Sequence, residues 1–339
     1  MRILPRLRFE IVKGLAALLA KLETPQADPA DIYFCYRLLL GRRPEAAGWQ
    51  DWCQRVRQGL GREMLVAAVL SSRECLNRHR ASNQPLCVET ESFRIYVNPH
   101  DLDIGRPIAQ ARSYEPHVTA VIKSLLKPAD VFVDLGANMG WFTLTAAAIV
   151  RPGKVLAVEP NPHNVQLLYR SLIANQFEHV TVLPYAVTDA AALLQLDYAV
   201  SNGYVTAIAG NATSDEYAYV QGVKLDDLLR DEPKITLIKM DIEGHERIAL
   251  RGMQGILKKH RPILITEFSP HDLSKDSPQA AAEYLGEIRQ SGYALAVIEE
   301  NGAIREFAAE TGVLEYWRAA CQRQPGREGF HLDLLARPV

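Results

Sequence analysis

No two cysteines of this 339-residue chain stand in a C-x-x-C pair; the five present (Cys35, Cys53, Cys75, Cys87 and Cys321) are scattered and odd in number. That spacing argues against a disulfide framework or a zinc site and points to a reducing compartment. In such a compartment the formal glycosylation sequon at Asn211 has no meaning. Long apolar runs are lacking too. The stretch "GLAALLA" near the start is far too short to cross a bilayer, and no A-x-A cleavage site follows it cleanly, so neither a spanning helix nor a signal peptide is expected. Net charge is nearly absent, at −2, which gives no global reason for binding nucleic acid. There is no internal repeat and no low-complexity tract. What remains, 48% hydrophobic and 23% charged residues, is the composition of an ordinary globular protein long enough for two domains.

The first 22 residues hold five basic side chains and one acid, with Leu4, Leu7, Ile11, Leu15, Leu18 and Leu22 at helical spacing. This predicts a basic amphipathic helix, docked on its own protein or resting on an anionic inner leaflet. Residues 31–80 continue with helical apolar spacing, broken at Gly41 and Pro44, and complete an N-terminal helical domain over 1–80. Polar, proline-containing 81–88 reads as a linker. From 89 to 339 short β-branched runs alternate with helical stretches, the pattern of a parallel sheet. Strands are expected at 94–97, 131–136, 154–160, 180–187, 193–198, 235–242, 262–268, 293–300 and 331–338. Helices are expected at 116–126, 141–150, 162–174, 246–259, 278–290 and 311–322. The Asn301–Gly302 pair predicts a hairpin. Residues 197–222, rich in Tyr, Asn, Ser and Thr, read as a long insertion, a hairpin or lid.

"VFVDLGANMGWFTLTAAA" is a buried strand, a tight glycine turn and a helix. Gly136 and Gly140 allow a sharp turn and close approach of a ligand. A dinucleotide loop would need glycine at 138 and 141, where this chain has Asn138 and Trp141. With Asp134 just before it, the loop suits a ligand bearing an ammonium and a carboxylate instead of a pyrophosphate. Glu159 ends the next strand, where an acid can accept both hydroxyls of a ribose, a feature common to NAD enzymes and methyltransferases. "LPYAVTD" ends the third, placing the backbone of Ala186 at an adenine edge.

From about Phe93 onward the sequence resembles the FkbM-type S-adenosylmethionine-dependent methyltransferases. The matching stretches are "SYEPHV" (113–118), "VFVDLGANMGWFTL" (131–144), "AVEPNPHNVQLL" (157–168), "VKLDDLL" (223–229), "IKMDIEGHERIALRGM" (238–253) and "LLARP" (334–338). The resemblance implies an α/β, Rossmann-like class I sheet of seven strands, mostly parallel with the last antiparallel, here behind a small all-α domain. It implies O-methyl transfer to a hydroxyl, often of a sugar or a polyketide. It puts the cofactor, S-adenosyl-L-methionine, on Asp134, Gly136, Asn138, Gly140, Glu159, Asn161 and Ala186, with Glu115 closing the methionine end. Residues 31–78 resemble a small helical domain of bacterial surface and polysaccharide proteins.

"IKMDIEGHE" sits at the end of the fourth strand, where open α/β sheets place ligands. In an extended chain Asp241, Glu243 and His245 would share one face, and they are the catalytic candidates, Asp241 foremost as base. Glu243 or Glu246 could instead serve the next helix's N-terminus. A divalent ion on Asp241 and Glu243, helped by Glu267 or His271, is left open, although no strong ligand spacing supports it. Lys239, Glu267 and His271 are candidate acceptor contacts; a strand lysine paired to a carboxylate and an ordinary loop are the plainer readings. Trp141 and Phe142 read as core or cofactor-shielding residues. The expected activity is methyl transfer to a carbohydrate or nucleotide-sugar hydroxyl in bacterial polysaccharide or glycoconjugate assembly. The place expected for it is the cytoplasm, with peripheral contact to the inner membrane or to assembly proteins left open. A nicotinamide-dependent oxidoreductase and a non-catalytic scaffold are the rival readings.

Overall fold

The computed structural model describes residues 26–40, 42–75, 84–197, 203–207, 217–273, 277, 279–323 and 330–339. The basic segment 1–22, the first three linker residues and Asn211 lie outside them. The chain divides into two compact units, one running to Pro85 and including Asn98–His100, the other made of Leu86–Val97 and Asp101–Val339.

The first unit has helices at Pro29–Leu39, Ala46–Arg57 and Arg62–Leu70. Asp28 and Asp31 form a reciprocal capping box with Pro29 in the first turn, which is why the first helix begins there. Ile32, Tyr36, Val56, Leu65 and Val69 make a core of their own. Trp52 Nε1 donates to the Tyr36 hydroxyl at 3.1 Å, and Arg62 pairs with Asp31 at 2.8 Å.

The strands of the second unit are β1 (Leu86–Glu89), β2 (Arg94–Val97), β3 (Val131–Leu135), β4 (Lys154–Val158), β5 (Val180–Leu183), β6 (Ala186–Val187), β7 (Ala192–Asp197), β8 (Tyr204–Ala207), β9 (Tyr217–Val223), β10 (Leu237–Met240), β11 (Ile263–Phe268), β12 (Tyr293–Ile298), β13 (Ile304–Phe307) and β14 (Leu332–Pro338). Eight form the main sheet, in the order β13-β12-β14-β11-β10-β3-β4-β5. β5, β4, β3, β10 and β11 run parallel, and β14 is antiparallel to both its neighbours. The eighth strand, β13, is the return arm of the Asn301–Gly302 hairpin.

Alternation along the strands feeds two cores. Phe132, Leu237, Ile265 and Ala296 face the helices Pro116–Leu125, Trp141–Val150 and Pro162–Asn175. Val133, Ile238, Leu264 and Val297 face the helices Glu246–Arg251, Gln254–His260 and Ala280–Gln290. Both faces are thus covered, as parallel strands with near-continuous apolar runs require.

Several expectations change, and the strand expected over 180–187 is two, β5 and β6, which join different sheets. The linker is shorter, because Leu86–Val88 already belong to β1, which pairs with β2 and buries Val88. The insertion over 197–222 contributes β8 and β9 to a four-stranded sheet of order β6-β9-β7-β8. The helix expected over 246–259 is two helices. A Cβ on Gly252 between them would stand 2.0 Å from the Thr188 carbonyl oxygen, so the chain turns away at that close approach. The fourth strand of the parallel part stops at Met240 and does not reach 242.

Candidate active site

β3 hands the chain to a loop in which Gly136, Asn138 and Gly140 have φ of +80°, +48° and +98°. A Cβ on Gly136 would fall 1.8 Å from the carbonyl oxygen of Asp241. Glycine is required there because the turn after β3 and the turn after β10 lie against each other. At Gly140 the same atom would meet Leu168 Cδ1 at 2.4 Å. The Asn138 N–H donates to Glu159 Oε2 and the Asn161 N–H to Glu159 Oε1, each at 2.8 Å. Glu159 therefore ties the glycine loop to the turn after β4. Burial pushes its carboxyl up to about 7, against the pull of these N–H groups. Asn161 caps the helix Pro162–Asn175, its Oδ1 accepting from the His163 N–H at 2.9 Å.

One cavity at this edge of the sheet is lined by Gly136, Asn138, Glu159, Asn161 and Ala186 and by Lys239, Asp241, Glu243 and His245. Tyr114, Trp141 and Phe142 also line it. The expected geometry at Asp241–His245 is not what unites those residues. The chain there is a turn, with Glu243 at φ +58° and Gly244 at +92°, and alternation along an extended strand does not apply. Glu246 holds this turn: its Oε1 accepts from the Ile242 N–H at 2.9 Å and the Gly244 N–H at 3.2 Å.

Lys239 is 2% exposed, its ammonium 2.6 Å from Asp241 Oδ2 and 4.6 Å above the Phe142 ring. Burial alone would lower its pKa; Asp241, Glu115 and Asp134 outweigh that and push it up. Burial likewise opposes ionisation of Asp241, yet Lys239 holds that carboxyl below its ordinary value. Burial, then Asp241 and Glu243, push the Glu267 carboxyl well up.

The other candidates stand behind or outside the wall. Asp134 is fully buried; its Oδ2 accepts from the Thr143 hydroxyl at 2.6 Å, its Oδ1 has no hydrogen-bond partner, and burial raises it to about 6. Glu115 precedes the helix Pro116–Leu125 at φ +38°, and its buried Oε2 has no hydrogen-bond partner. Burial raises it to about 8, although Lys239 pulls the other way. Glu267 lies behind Asp241. His271, with 68% of its side chain exposed, contacts Asp272 at 3.4 Å and does not line the cavity.

Oxygens of Asp241, Glu243 and Glu267 fall within 4.8 Å of one another. The Lys239 ammonium bonds to Asp241 at 2.6 Å, so the cluster carries a cation of its own, and no metal is assigned to it. Sequence reasoning passed over Tyr114 and Thr143, whereas Glu246 was offered for the start of the next helix, and it bonds the turn just before it. Tyr114 adjoins Glu115 in "SYEP", and its ring meets Phe142 edge-on at 6.1 Å.

The Methyltransferase FkbM domain matches residues 134–304. The chain belongs to the FkbM methyltransferase family. Among solved structures it is similar to the FkbM methyltransferase from Methylobacillus flagellatus KT, at 15% identity over 89% of this chain and 58% of that one, with a TM-score of 0.38. It is also similar to precorrin-6y C5,15-methyltransferase from Geobacter metallireducens GS-15, at 13% identity over 66% of this chain and 88% of that one, TM-score 0.37. A third is M. jannaschii TYW2 in complex with AdoMet, at 11% identity over 76% and 88% respectively, TM-score 0.39. No curated protein matches the sequence. Family membership excludes the oxidoreductase reading and makes S-adenosylmethionine the cofactor. The FkbM site fits a ligand with a ribose, an amino acid and a positive sulfur. The glycine loop lines the cavity where the helix Trp141–Val150 begins, and Glu159 beside it keeps lone pairs beyond its two N–H bonds.

Proposed function

We propose that this FkbM methyltransferase methylates a hydroxyl group, that of a sugar in a bacterial polysaccharide or glycoconjugate, and that Asp241 faces the acceptor. The observation behind this reading is the position of Asp241, in the same cavity lining as Glu159 and the glycine loop, with its carboxylate fixed by Lys239 at 2.6 Å.

S-adenosylmethionine, when bound, supplies an electrophilic methyl group on a positively charged sulfur. Gly136, Asn138 and Glu159 hold and orient it, and Trp141 and Phe142 keep water from that wall. Asp241 orients the acceptor hydroxyl and draws on its proton; alignment contributes most of the effect, because an alcohol in contact with the donor needs little else. Glu243 and His245 supply further polar contacts for a polyol, and Lys239 keeps Asp241 ionised. The cytoplasmic face of the inner membrane, where polysaccharide precursors are assembled, is the proposed setting. The basic segment 1–22 and the helical unit are the proposed contacts there, and this part rests on sequence alone.

Nucleotide-sugars and polysaccharide repeat units incubated with enzyme and cofactor should include an acceptor that gains the mass of one methyl group. With that acceptor, Asp241→Ala should lower turnover by about 10²–10⁴-fold with cofactor affinity largely kept. Turnover near wild type would remove Asp241 from the chemistry, and a methylated amine instead of a hydroxyl would overturn the acceptor class.

A further inference from the structure

A second cavity, of about 400 Å³, opens at the same edge of the sheet. Glu300 and Asn301 from the hairpin after β12, Ala320 and Arg323 from the helix Glu310–Arg323, and His331 and Asp333 at the start of β14 line it. None of these residues lines the first cavity. A short row of acids across three neighbouring strands links it to Asp241. Met240 is the register partner of Thr266, so Asp241 and Glu267 follow side by side, and Glu267 is the register partner of Asp333. Oxygens of Asp241 and Glu267 fall within 4.8 Å of each other, and Glu267 Oε1 is 3.9 Å from His331 Nδ1. Glu267 thus stands between a residue of the first cavity and a residue of the second. From Asp241 to Asp333 is two strand spacings, about 10 Å, the span of a disaccharide.

The side chains of the second cavity select a kind of ligand. Arg323 and the Asn301 amide offer donors, and Glu300 and Asp333 offer acceptors, a mixture that matches sugar hydroxyls, which do both. His117 Nε2 bonds Asp333 Oδ2 at 2.8 Å and fixes that carboxylate in place. Glu299, also in the lining, accepts from Arg305 Nε at 2.5 Å and from the Tyr316 hydroxyl at 3.2 Å. Such a wall is organised before a ligand arrives, which lowers the cost of binding. Even with Arg305 counted, Glu299, Glu300 and Asp333 set three carboxylates against two guanidiniums. A phosphate is repelled there, and an uncharged sugar is not.

We propose that the second cavity is an acceptor subsite: it binds an uncharged sugar unit of an oligosaccharide whose neighbouring unit presents its hydroxyl to Asp241. The preferred acceptor is then a polysaccharide repeat unit, and not a free monosaccharide or a nucleotide-sugar. This rests on the reading of the acceptor as a sugar hydroxyl facing Asp241.

The experiment gives the full chain one sugar in three forms, with S-adenosylmethionine labelled in its methyl group. The forms are the free monosaccharide, its nucleotide-sugar and the uncharged repeat unit that contains it, the sugar being one that gains a methyl group in the acceptor screen. kcat/KM should be at least about tenfold higher for the repeat unit than for either other form, the worth of one or two hydrogen bonds. Ala320→Phe, which fills the cavity, and Glu300→Ala, at an exposed position, should each remove most of that advantage through KM for the repeat unit. A repeat unit no better than the other forms, or an advantage that survives both variants, would overturn the subsite and leave sugar methylation standing. A screen in which no sugar in any form gains a methyl group would overturn both. The wild-type comparison decides the matter where Ala320→Phe fails to fold.

Discussion

Lys239 and Asp241 show how one pair sets the character of this site. A buried ammonium alone would give up its proton, and a buried aspartate alone would take one; at 2.6 Å each keeps the other charged. The pair is therefore worth more to the chemistry than to the fold. Lys239→Met should leave Asp241 unpaired in a poorly solvated place and lower stability by about 3 kcal/mol. The double variant Lys239→Met, Asp241→Leu should recover part of that loss, because no lone charge remains buried. Denaturant unfolding of the three proteins checks this, and a double variant no more stable than Lys239→Met would show that the charges are not what the site needs. "IKMDIEGHE" displays all these residue types. The partnership of Lys239 with Asp241, two positions away, was open to reading there. The nearness of Glu267 to Asp241 was not, because Glu267 comes from another strand.

Among the elements, the glycine loop and the turn after β10 behave as one part. Gly136 lies against the Asp241 carbonyl so closely that any side chain at 136 must displace the Asp241 turn. Gly136→Ala combines that clash with a residue held at φ +80°, and should cost about 2–4 kcal/mol of stability. It should also weaken cofactor binding and turnover together, since one substitution moves two turns that line the cavity. Melting temperature and cofactor affinity measured side by side test this; a variant that melts normally and loses turnover alone would separate the two turns. Several elements were open to reading because their rules are local. The helix Trp141–Val150 starts where the glycine turn ends, Asn161–Pro162 cap the next helix, and Asn301–Gly302 close a hairpin. The break at Gly252 and the turn at Glu243 were missed, since each answers to a segment far away in the chain: Thr188 at the first, and Asp272, near which a Cβ on Gly244 would fall, at the second.

Across the whole molecule, acids that cluster around one end of the sheet give the fold a pH dependence. Glu115, Asp134, Glu159 and Glu246 are raised to about 8, 6, 7 and 7, chiefly by burial, and His117 is raised by its bond to Asp333. A group whose folded pKa exceeds its unfolded one favours the folded state most below the unfolded value. That contribution is lost as pH rises through the folded value. Asp241, held low, has the opposite sign, but its window closes near pH 4. From pH 5 to 8.5 the raised groups therefore dominate, and the cofactor-free protein should melt at a lower temperature at pH 8.5 than at pH 5.5. Asp134→Asn should narrow the gap. A melting temperature that rises across this range would refute the account.

The sequence by itself determined the parallel sheet with a returning last strand, the glycine loop and the family, because these depend on residues near one another in the chain. Apolar period, glycine at positive φ, and capping residues act over a few positions and survive as local patterns. Only the tertiary structure decided which carboxyls burial raises, why Asp241 is held low, and that Asp134 and Glu115 do not line the cavity. Those properties depend on burial and on neighbours brought from β3, β10, β11 and β14. A charge responds to everything within a few ångströms of it, whatever the distance along the chain.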